Sequence, residues 1–191
     1  MRPKTANGAG MERRIYYMKV RLADVKPEVW RRIAVPGGYT LDRLHRVIQL
    51  AMGWQDCHLH SFEITGVQYG VPDPDGLLEM RDELDTRLDS VVGKDARFTY
   101  TYDFGDWWEH EILVEDVLVS APDERYPVCV DGAGDCPPED VGGVYGYERF
   151  LEATSDPQHK DHEATMEWFG SRLLGRDFDA DRATALMRRM A

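Results

Sequence analysis

The sequence lacks any long hydrophobic run. Nowhere do about 20 predominantly apolar residues follow one another, as a membrane-spanning helix requires. The first ten residues, MRPKTANGAG, also lack the apolar segment of a secretory signal peptide. We therefore predict a cytoplasmic protein with no membrane contact. Residues 1–14 are predicted to be a flexible tail, whether translation starts at Met1 or at Met11.

Cysteine is scarce as well. Cys57, Cys129 and Cys136 are an odd number in 191 residues, unlike the dense, even pattern of a secreted disulfide scaffold. Six residues separate Cys129 from Cys136, a wider spacing than the two to four that structural zinc sites usually have. The spacing favours small buried residues in a loop, and a metal-bound or redox-active pair is the alternative.

Basic residues are few in the second half of the chain. The whole chain has a formal net charge of −12, and residues 102–191 contain 8 Lys+Arg against 21 Asp+Glu. A surface so acidic repels a polyanion, so DNA binding by this half is not expected. One alternative is DNA contact through the first β-hairpin, which carries Lys19, Arg21, Arg31 and Arg32.

The order of predicted elements indicates an α+β fold. With 191 residues and 42% hydrophobic residues, the chain can form one domain without disulfide or metal cross-links. Strands come first and helices last, which favours a mainly antiparallel sheet. The predicted strands are 15–22 and 29–35, forming a hairpin, then 58–64, 97–102 and 108–115. A helix over 41–51 follows the hairpin, and C-terminal helices are predicted near 146–153, 158–170 and 179–190. The predicted domain spans 15–190, with loops over 65–85 and 122–146.

Three histidines could form a metal site. In a strand, His58 and His60 point to the same face, and His110 points to the apolar face of another strand. Neutral imidazoles bind zinc, and manganese is a second candidate. Together with a carboxylate, the three would hold a divalent ion that activates water in a metal-dependent hydrolase. The alternative is that all three are hydrogen-bonded structural residues.

The segment Tyr102–His110 concentrates polar and aromatic residues. Asp103 and Asp106 either stabilise the turn between two strands or orient His110, as a carboxylate orients a general base. The segment contains the tripeptide DFG, but the glycine-rich loop, the lysine strand and the HRD loop of protein kinases are absent from the sequence. A kinase is therefore excluded.

Six sequence motifs, taken in order, resemble the Ri-plasmid ORF-3-like family. They are Val29–Pro36, Leu44-His45 with Ala51–Trp54, His58–Phe62, Tyr100–His110, Cys136–Gly143 and Glu167-Trp168. The resemblance covers about residues 15–190. It implies a single α+β domain of bacteria and archaea, found on plasmids, with some members described as TnpR-like passenger proteins of insertion elements. It implies no established activity.

We do not extend recombinase chemistry to this chain. A serine resolvase needs a nucleophilic serine among clustered arginines and a basic DNA-binding helix-turn-helix. None of the serines has such a cluster, and the C-terminal helices lie in the acidic half.

The leading hypothesis is an accessory interaction module without catalysis. An aromatic and acidic groove would bind a protein partner or a small polar or cationic ligand. The residues expected to line the groove are Trp54, His60, Asp103, Asp106, Trp108, His110, Glu139 and Asp140.

Overall fold

An eight-stranded sheet is the framework of the chain. The computed structural model describes residues 13–72, 79–120, 123–170 and 178–190. The strands are β1 Arg14–Leu22, β2 Trp30–Pro36, β3 His60–Ile64, β4 Val67–Gly70, β5 Arg81–Asp82, β6 Arg97–Tyr102, β7 Trp108–Val119 and β8 Val128–Ala133. Their order across the sheet is β5-β4-β3-β6-β7-β1-β2-β8. All neighbours pair antiparallel except β4 and β5, which are parallel.

Helices follow the first hairpin and fill the C-terminal part of the chain. They are α1 Leu41–Met52, α2 Leu88–Val91, α3 Gly143–Ser155, α4 His162–Phe169 and α5 Ala180–Met187, followed by a 3-10 turn at Arg188–Met190. This arrangement confirms the predicted α+β class. Within the described ranges, no helix combines the length and the apolar character needed to cross a membrane.

One face of the sheet is buried because apolar residues alternate along the strands. In β7, the side chains of Trp108, His110, Ile112 and Val114 are buried, whereas Glu109 and Glu111 are exposed. Strands β1 and β6 show the same period of two, and most of their buried residues lie on the side of the helices. Ile15 and Tyr17 of β1 instead belong to a small separate cluster with Tyr126. The predicted orientation of His110 toward the apolar side is therefore confirmed.

Helix α1 lies against this buried face. Its apolar residues Leu41, Leu44, Val47 and Ile48 recur with helical spacing and are fully buried. The Thr40 side chain accepts a hydrogen bond from the amide of Arg43 and begins the helix, and Gly53 ends it in a left-handed conformation. The helix predicted over 41–51 is confirmed.

Three predicted boundaries are wrong. β3 begins at His60, so His58 precedes the strand and the alternation does not extend to it. The predicted loop over 65–85 contains β4, which pairs with β3 and places Tyr69 beside Phe62, together with the short β5. The predicted loop over 122–146 contains β8, an edge strand beside β2. Short strands that contain a glycine show little alternation in the sequence, and their position depends on the strand with which they pair.

The predicted N-terminal tail lies largely outside the described residues. Residues 1–12 are not described, and β1 already begins at Arg14, the last residue assigned to the tail. The extent of the tail and the 15–190 domain boundaries stay predictions.

Arg31 fastens the end of α1 to the sheet edge. Its side chain is buried and donates to four backbone carbonyls. The acceptors are Ala51 at 2.8 Å, Trp30 at 2.8 Å, Ala133 at 2.9 Å and Gly134 at 3.0 Å. The planar guanidinium thereby links α1, β2 and the end of β8. No ion pair joins Arg31 to a carboxylate of the described residues, and a buried charge of this kind requires such complete hydrogen bonding.

The four cations of the hairpin lie on both faces of the sheet. Arg31 faces the core, while the other three cations are paired with carboxylates on the opposite face. Lys19 lies 3.5 Å from Glu28, Arg21 2.6 Å from Glu111, and Arg32 2.6 Å from Glu115. The four cations do not share one exposed surface, so the alternative of DNA contact through this hairpin is wrong in the form predicted.

We predict that Arg31→Met lowers the free energy of unfolding by about 3–5 kcal/mol, because four buried carbonyl groups lose a charged donor. Arg32→Met is the matched control, since it removes a half-exposed ion pair and should cost less than about 1 kcal/mol. Urea unfolding of both variants measures the difference. Equal losses would contradict the role assigned to Arg31.

Candidate functional site

Two rows of aromatic and polar side chains cross the buried face of the sheet. Strand pairing aligns His60 with Tyr102 and Trp108 in one row, and Phe62 with Tyr100 and His110 in the next. Because the strands are antiparallel, the start of β3 lies beside the end of β6. The segments just outside the strands, 57–59 and 103–107, therefore meet at one end of the sheet. The amide of Asp103 donates to the carbonyl of Leu59 at 2.9 Å there.

A cluster of acidic side chains around one histidine, which we call the acidic pocket, lies at this end of the sheet and consists of His58, Asp103, Glu139 and Asp140. The Nε2 atom of His58 lies 3.2 Å from Asp140 Oδ1, 3.6 Å from Asp103 Oδ2 and 3.9 Å from Glu139 Oε2. This nitrogen is buried and has no hydrogen-bond partner among the residues that the structure describes. The side chains of Asp103 and Glu139 are more than nine-tenths buried, whereas Asp140 is mostly exposed. Within the described ranges, no lysine or arginine pairs with these carboxylates.

Tyr102 holds the buried carboxylate of Glu139 in place. Its hydroxyl lies 3.1 Å and 3.3 Å from the two oxygens of Glu139. The amide of Gln55 donates to Glu139 at 2.8 Å, and the amide of Cys57 donates to the Tyr102 hydroxyl at 3.1 Å. Burial, followed by the bond to Cys57, raises the pKa of Tyr102 far above its ordinary value, so the phenol stays neutral and can donate. Burial likewise raises the pKa of the Cys57 thiol.

A tight turn presents Asp103 to the pocket. Asp103 Oδ1 accepts from the amide of Gly105 at 2.9 Å, and Asp106 Oδ2 accepts from the amide of Gly142 at 3.0 Å. Gly143 has a positive φ of 66°, and a Cβ there would lie 2.7 Å from the carbonyl oxygen of Asp106. Only glycine lets the loop before α3 approach the turn this closely. That approach carries Glu139 and Asp140 to His58.

Trp54, Trp108 and His110 form an aromatic layer behind the acidic pocket. The Trp54 ring lies 4.9 Å from Tyr102, 6.2 Å from Trp108 and 5.2 Å from His110, measured between centroids. Its indole nitrogen donates to the carbonyl of Pro137 at 3.0 Å. Trp108 and His110 are fully buried. These three residues therefore support the pocket from the core and do not line a groove.

A second polar cluster forms a closed hydrogen-bonded ring of Asp56, Gln49, Tyr100 and His45. The amide of Asp56 donates to Gln49 Oε1 at 3.1 Å, and Gln49 Nε2 donates to the Tyr100 hydroxyl at 2.9 Å. The hydroxyl lies 2.8 Å from His45 Nδ1, and His45 Nε2 lies 2.7 Å from Asp56 Oδ1. Because the carboxylate of Asp56 can only accept, the neutral imidazole of His45 carries its hydrogen on Nε2 and donates it to Asp56. The other ring nitrogen, Nδ1, then accepts from the Tyr100 hydroxyl.

Burial keeps the imidazole of this ring neutral. The desolvation of His45, followed by the nearby His60, lowers its pKa from 6.5 to about 4. His60 stacks on His45 with ring centroids 3.4 Å apart and places its Nε2 2.8 Å from Glu83 Oε2. Each of these two imidazoles thus has a carboxylate of its own.

The structure divides the eight predicted groove residues among four places. Asp103, Glu139 and Asp140 gather around His58, whereas Trp54, Trp108 and His110 lie behind them. Asp106 accepts from the amide of Gly142 and so joins its turn to the loop before α3, and His60 belongs to the second cluster with Glu83. A single groove lined by all eight is not found among the described residues. The binding role of those that do converge stays a prediction.

The predicted metal set of His58, His60 and His110 is wrong. In the described part of the chain, their nitrogens do not belong to one group of closely spaced ligand atoms. His60 is bonded to Glu83, and His110 Nδ1 lies 3.1 Å from the carbonyl oxygen of Tyr100. The reason is that β3 begins at His60, so His58 lies at the loop end of the sheet.

Sequence reasoning missed His45, Gln49, Tyr100 and Tyr102 as positioning residues. A signal existed for the first two, since a histidine and a glutamine four residues apart on the apolar face of α1 must find buried partners. The two tyrosines gave no such signal, because the partners of their hydroxyls come from distant segments.

Comparison with known proteins places the chain in a family. Residues 14–185 match the model of the plasmid pRiA4b ORF-3-like protein family. The chain belongs to this family. The resemblance drawn from its six sequence motifs is thereby confirmed.

Two relatives of this chain have no assigned function. Uncharacterized protein y4hQ of Sinorhizobium fredii (strain NBRC 101917 / NGR234) is 44% identical over 158 residues, which are 81% of this chain and 80% of y4hQ. The crystal structure of MM3350, a protein of unknown function from Methanosarcina mazei Go1, has a TM-score of 0.81 and 35% identity. The match covers 89% of this chain and 97% of MM3350. This chain therefore shares its fold with MM3350.

We predict that Tyr100→Phe lowers the free energy of unfolding by about 2–3 kcal/mol, because His45 Nδ1 and Gln49 Nε2 both lose their buried partner. Tyr16→Phe is the control, since that hydroxyl makes one long bond of 3.4 Å and its loss should cost under about 1 kcal/mol. Urea unfolding compares the two variants. Similar costs would contradict the closed ring.

Burial of His110 predicts a pH dependence of stability. Desolvation lowers its pKa from 6.5 to about 4, so the unfolded chain binds more protons between these values. The contribution of His110 is complete above about pH 6.5 and is lost as the pH falls to about 4. It amounts to on the order of 3 kcal/mol. In His110→Phe this part of the acid destabilisation should disappear, which unfolding free energies measured from pH 7 to 4 would reveal. An unchanged pH slope would contradict it.

Proposed function

We propose that this chain is a binding module that takes up a cation in the acidic pocket of His58, Asp103, Glu139 and Asp140. One observation carries the proposal: a buried, unpartnered imidazole nitrogen faces three carboxylates at 3.2–3.9 Å, and no lysine or arginine of the described residues pairs with them. Buried carboxylates are costly unless a positive charge accompanies them. A bound cation supplies that charge.

The position of the pocket supports uptake from solvent. Asp140 is 71% exposed and forms the outer wall, whereas Asp103 and Glu139 form the buried inner wall. A cation therefore approaches along Asp140 and is progressively desolvated. The net charge of −12 also favours a positively charged ligand or partner over an anionic one.

A basic side chain of a partner protein and a small cationic ligand share the chemistry that this pocket recognises. The plasmid family supports an accessory role of this kind in a mobile-element setting. Recombinase chemistry has no support in the described residues, because it needs arginines that are free to bind phosphate. Arg31 donates to backbone carbonyls, and Arg21 and Arg32 form ion pairs with surface carboxylates.

Agmatine, which carries a guanidinium and an ammonium group, is the probe for this proposal. We expect agmatine added at low ionic strength to shift the backbone amide resonances of Gln55, Asp140 and Gly142 in ¹H–¹⁵N spectra. Succinate, an anion, should leave them unchanged. Salt at 0.5 M should weaken the effect, because the Debye length is only about 4 Å at that concentration and the charges are screened.

Asp140→Asn should weaken agmatine binding severalfold. The matched control is Asp95→Asn, which removes the same charge from another exposed aspartate with a positive φ, 64° against 58° at Asp140. Asparagine tolerates this conformation at both positions. Equal effects of the two variants, or shifts spread over the whole acidic surface, would contradict the proposal.

A further inference from the structure

We propose that the cation of the acidic pocket is a divalent metal ion bound directly by His58 Nε2, Asp103 Oδ2 and Asp140 Oδ1. This inference rests on the proposed function and names the class of its ligand. The ligand atoms of these three residues all lie within 4.8 Å of one another. They come from the segment before β3, the turn after β6 and the loop before α3, which the sheet register and the Gly143 contact bring together.

The spacing of the atoms fits a metal better than a hydrogen bond. Ligands about 2.1 Å from a tetrahedral zinc ion lie about 3.4 Å from each other. His58 Nε2 lies 3.2 Å from Asp140 and 3.6 Å from Asp103, on either side of that value. A charge-assisted hydrogen bond would instead draw the nitrogen to about 2.8 Å from one oxygen. The imidazole points between the carboxylates and bonds to none of them.

The neighbouring cluster provides an internal contrast. His45, Asp56 and His60 also bring three possible ligand atoms within 4.8 Å of one another. There, however, His45 and His60 lie at 2.7 Å and 2.8 Å from their own carboxylates, which are ordinary hydrogen-bond distances. The closed ring also places the hydrogen of His45 on Nε2, the atom a metal would need. We therefore assign the metal to His58 and not to this cluster.

The residues around the pocket hold the proposed ligands in place. Asp103 Oδ1 accepts from the amide of Gly105, which leaves Oδ2 directed at His58. Glu139 is oriented by Tyr102 and Gln55 and lies 3.9 Å from His58, where it supplies a further negative charge. Oriented carboxylates beside a single imidazole are typical of sites for zinc or manganese.

The test uses the full-length chain, treated with chelator and then freed of it. Isothermal titration with ZnCl₂ and with MnCl₂ should give one site per chain for at least one ion. His58→Gln and Asp140→Asn should each weaken that site at least tenfold, whereas Asp95→Asn should leave it unchanged. Circular dichroism of each variant establishes whether it is folded. If His58→Gln does not fold, Asp140→Asn still tests the site, because Asp140 is exposed and its substitution should not disturb the core.

A second measurement identifies the ligand atom. In long-range ¹H–¹⁵N spectra of the histidine side chains, the metal should move the Nε2 resonance of His58 and leave those of His45 and His60 in place. Movement of His45 or His60 instead, or binding unaffected by Asp140→Asn, would overturn the assignment. If neither ion binds while agmatine still shifts the amides around Asp140, the metal inference fails and the proposed function stands. If agmatine also has no effect, both fail.

Discussion

Two tyrosine hydroxyls on one strand determine how the polar clusters are built. Tyr100 and Tyr102 are two residues apart on β6, so both point to the helix side of the sheet. The Tyr100 hydroxyl closes the ring that includes His45 and Gln49 of α1. The Tyr102 hydroxyl contacts Glu139 and the amide of Cys57. A helix and two loops are thus positioned against the same strand, and a shift of β6 by one residue would turn both hydroxyls away from them.

The two clusters sit side by side but use their histidines differently. In the ring, both nitrogens of His45 have a partner at hydrogen-bond distance, and burial keeps the imidazole neutral. Such a network rigidifies the core and leaves no open position. Around His58, the carboxylates are held by backbone amides and by Tyr102, yet the nitrogen between them has no partner. The first arrangement suits structure, and the second suits a ligand that arrives from outside.

Much of the fold could be predicted because its main strands and helix α1 have periodic patterns of apolar residues in the sequence. The hairpin, α1 with its Thr40 cap and Gly53 stop, and the pair β6 and β7 all have the alternation or helical spacing that burial imposes. β4 and β8 were missed, since a short glycine-containing strand is defined by the neighbour with which it pairs. For the site, Asp103, Glu139 and Asp140 were recognised as candidates, while His58 was placed in a strand that in fact starts two residues later.

From the sequence alone we derived the α+β class, the family, the burial of His110 and the excess of acid in the second half. These depend on composition and on local spacing, which can be counted along the chain. Which histidine faces the carboxylates could be seen only in the folded chain. That choice depends on where β3 begins, on the register between β3 and β6, and on a glycine that lets the loop before α3 approach the turn at Asp106. Contacts between segments more than 30 residues apart leave no periodic pattern in the sequence, so they cannot be predicted from local spacing.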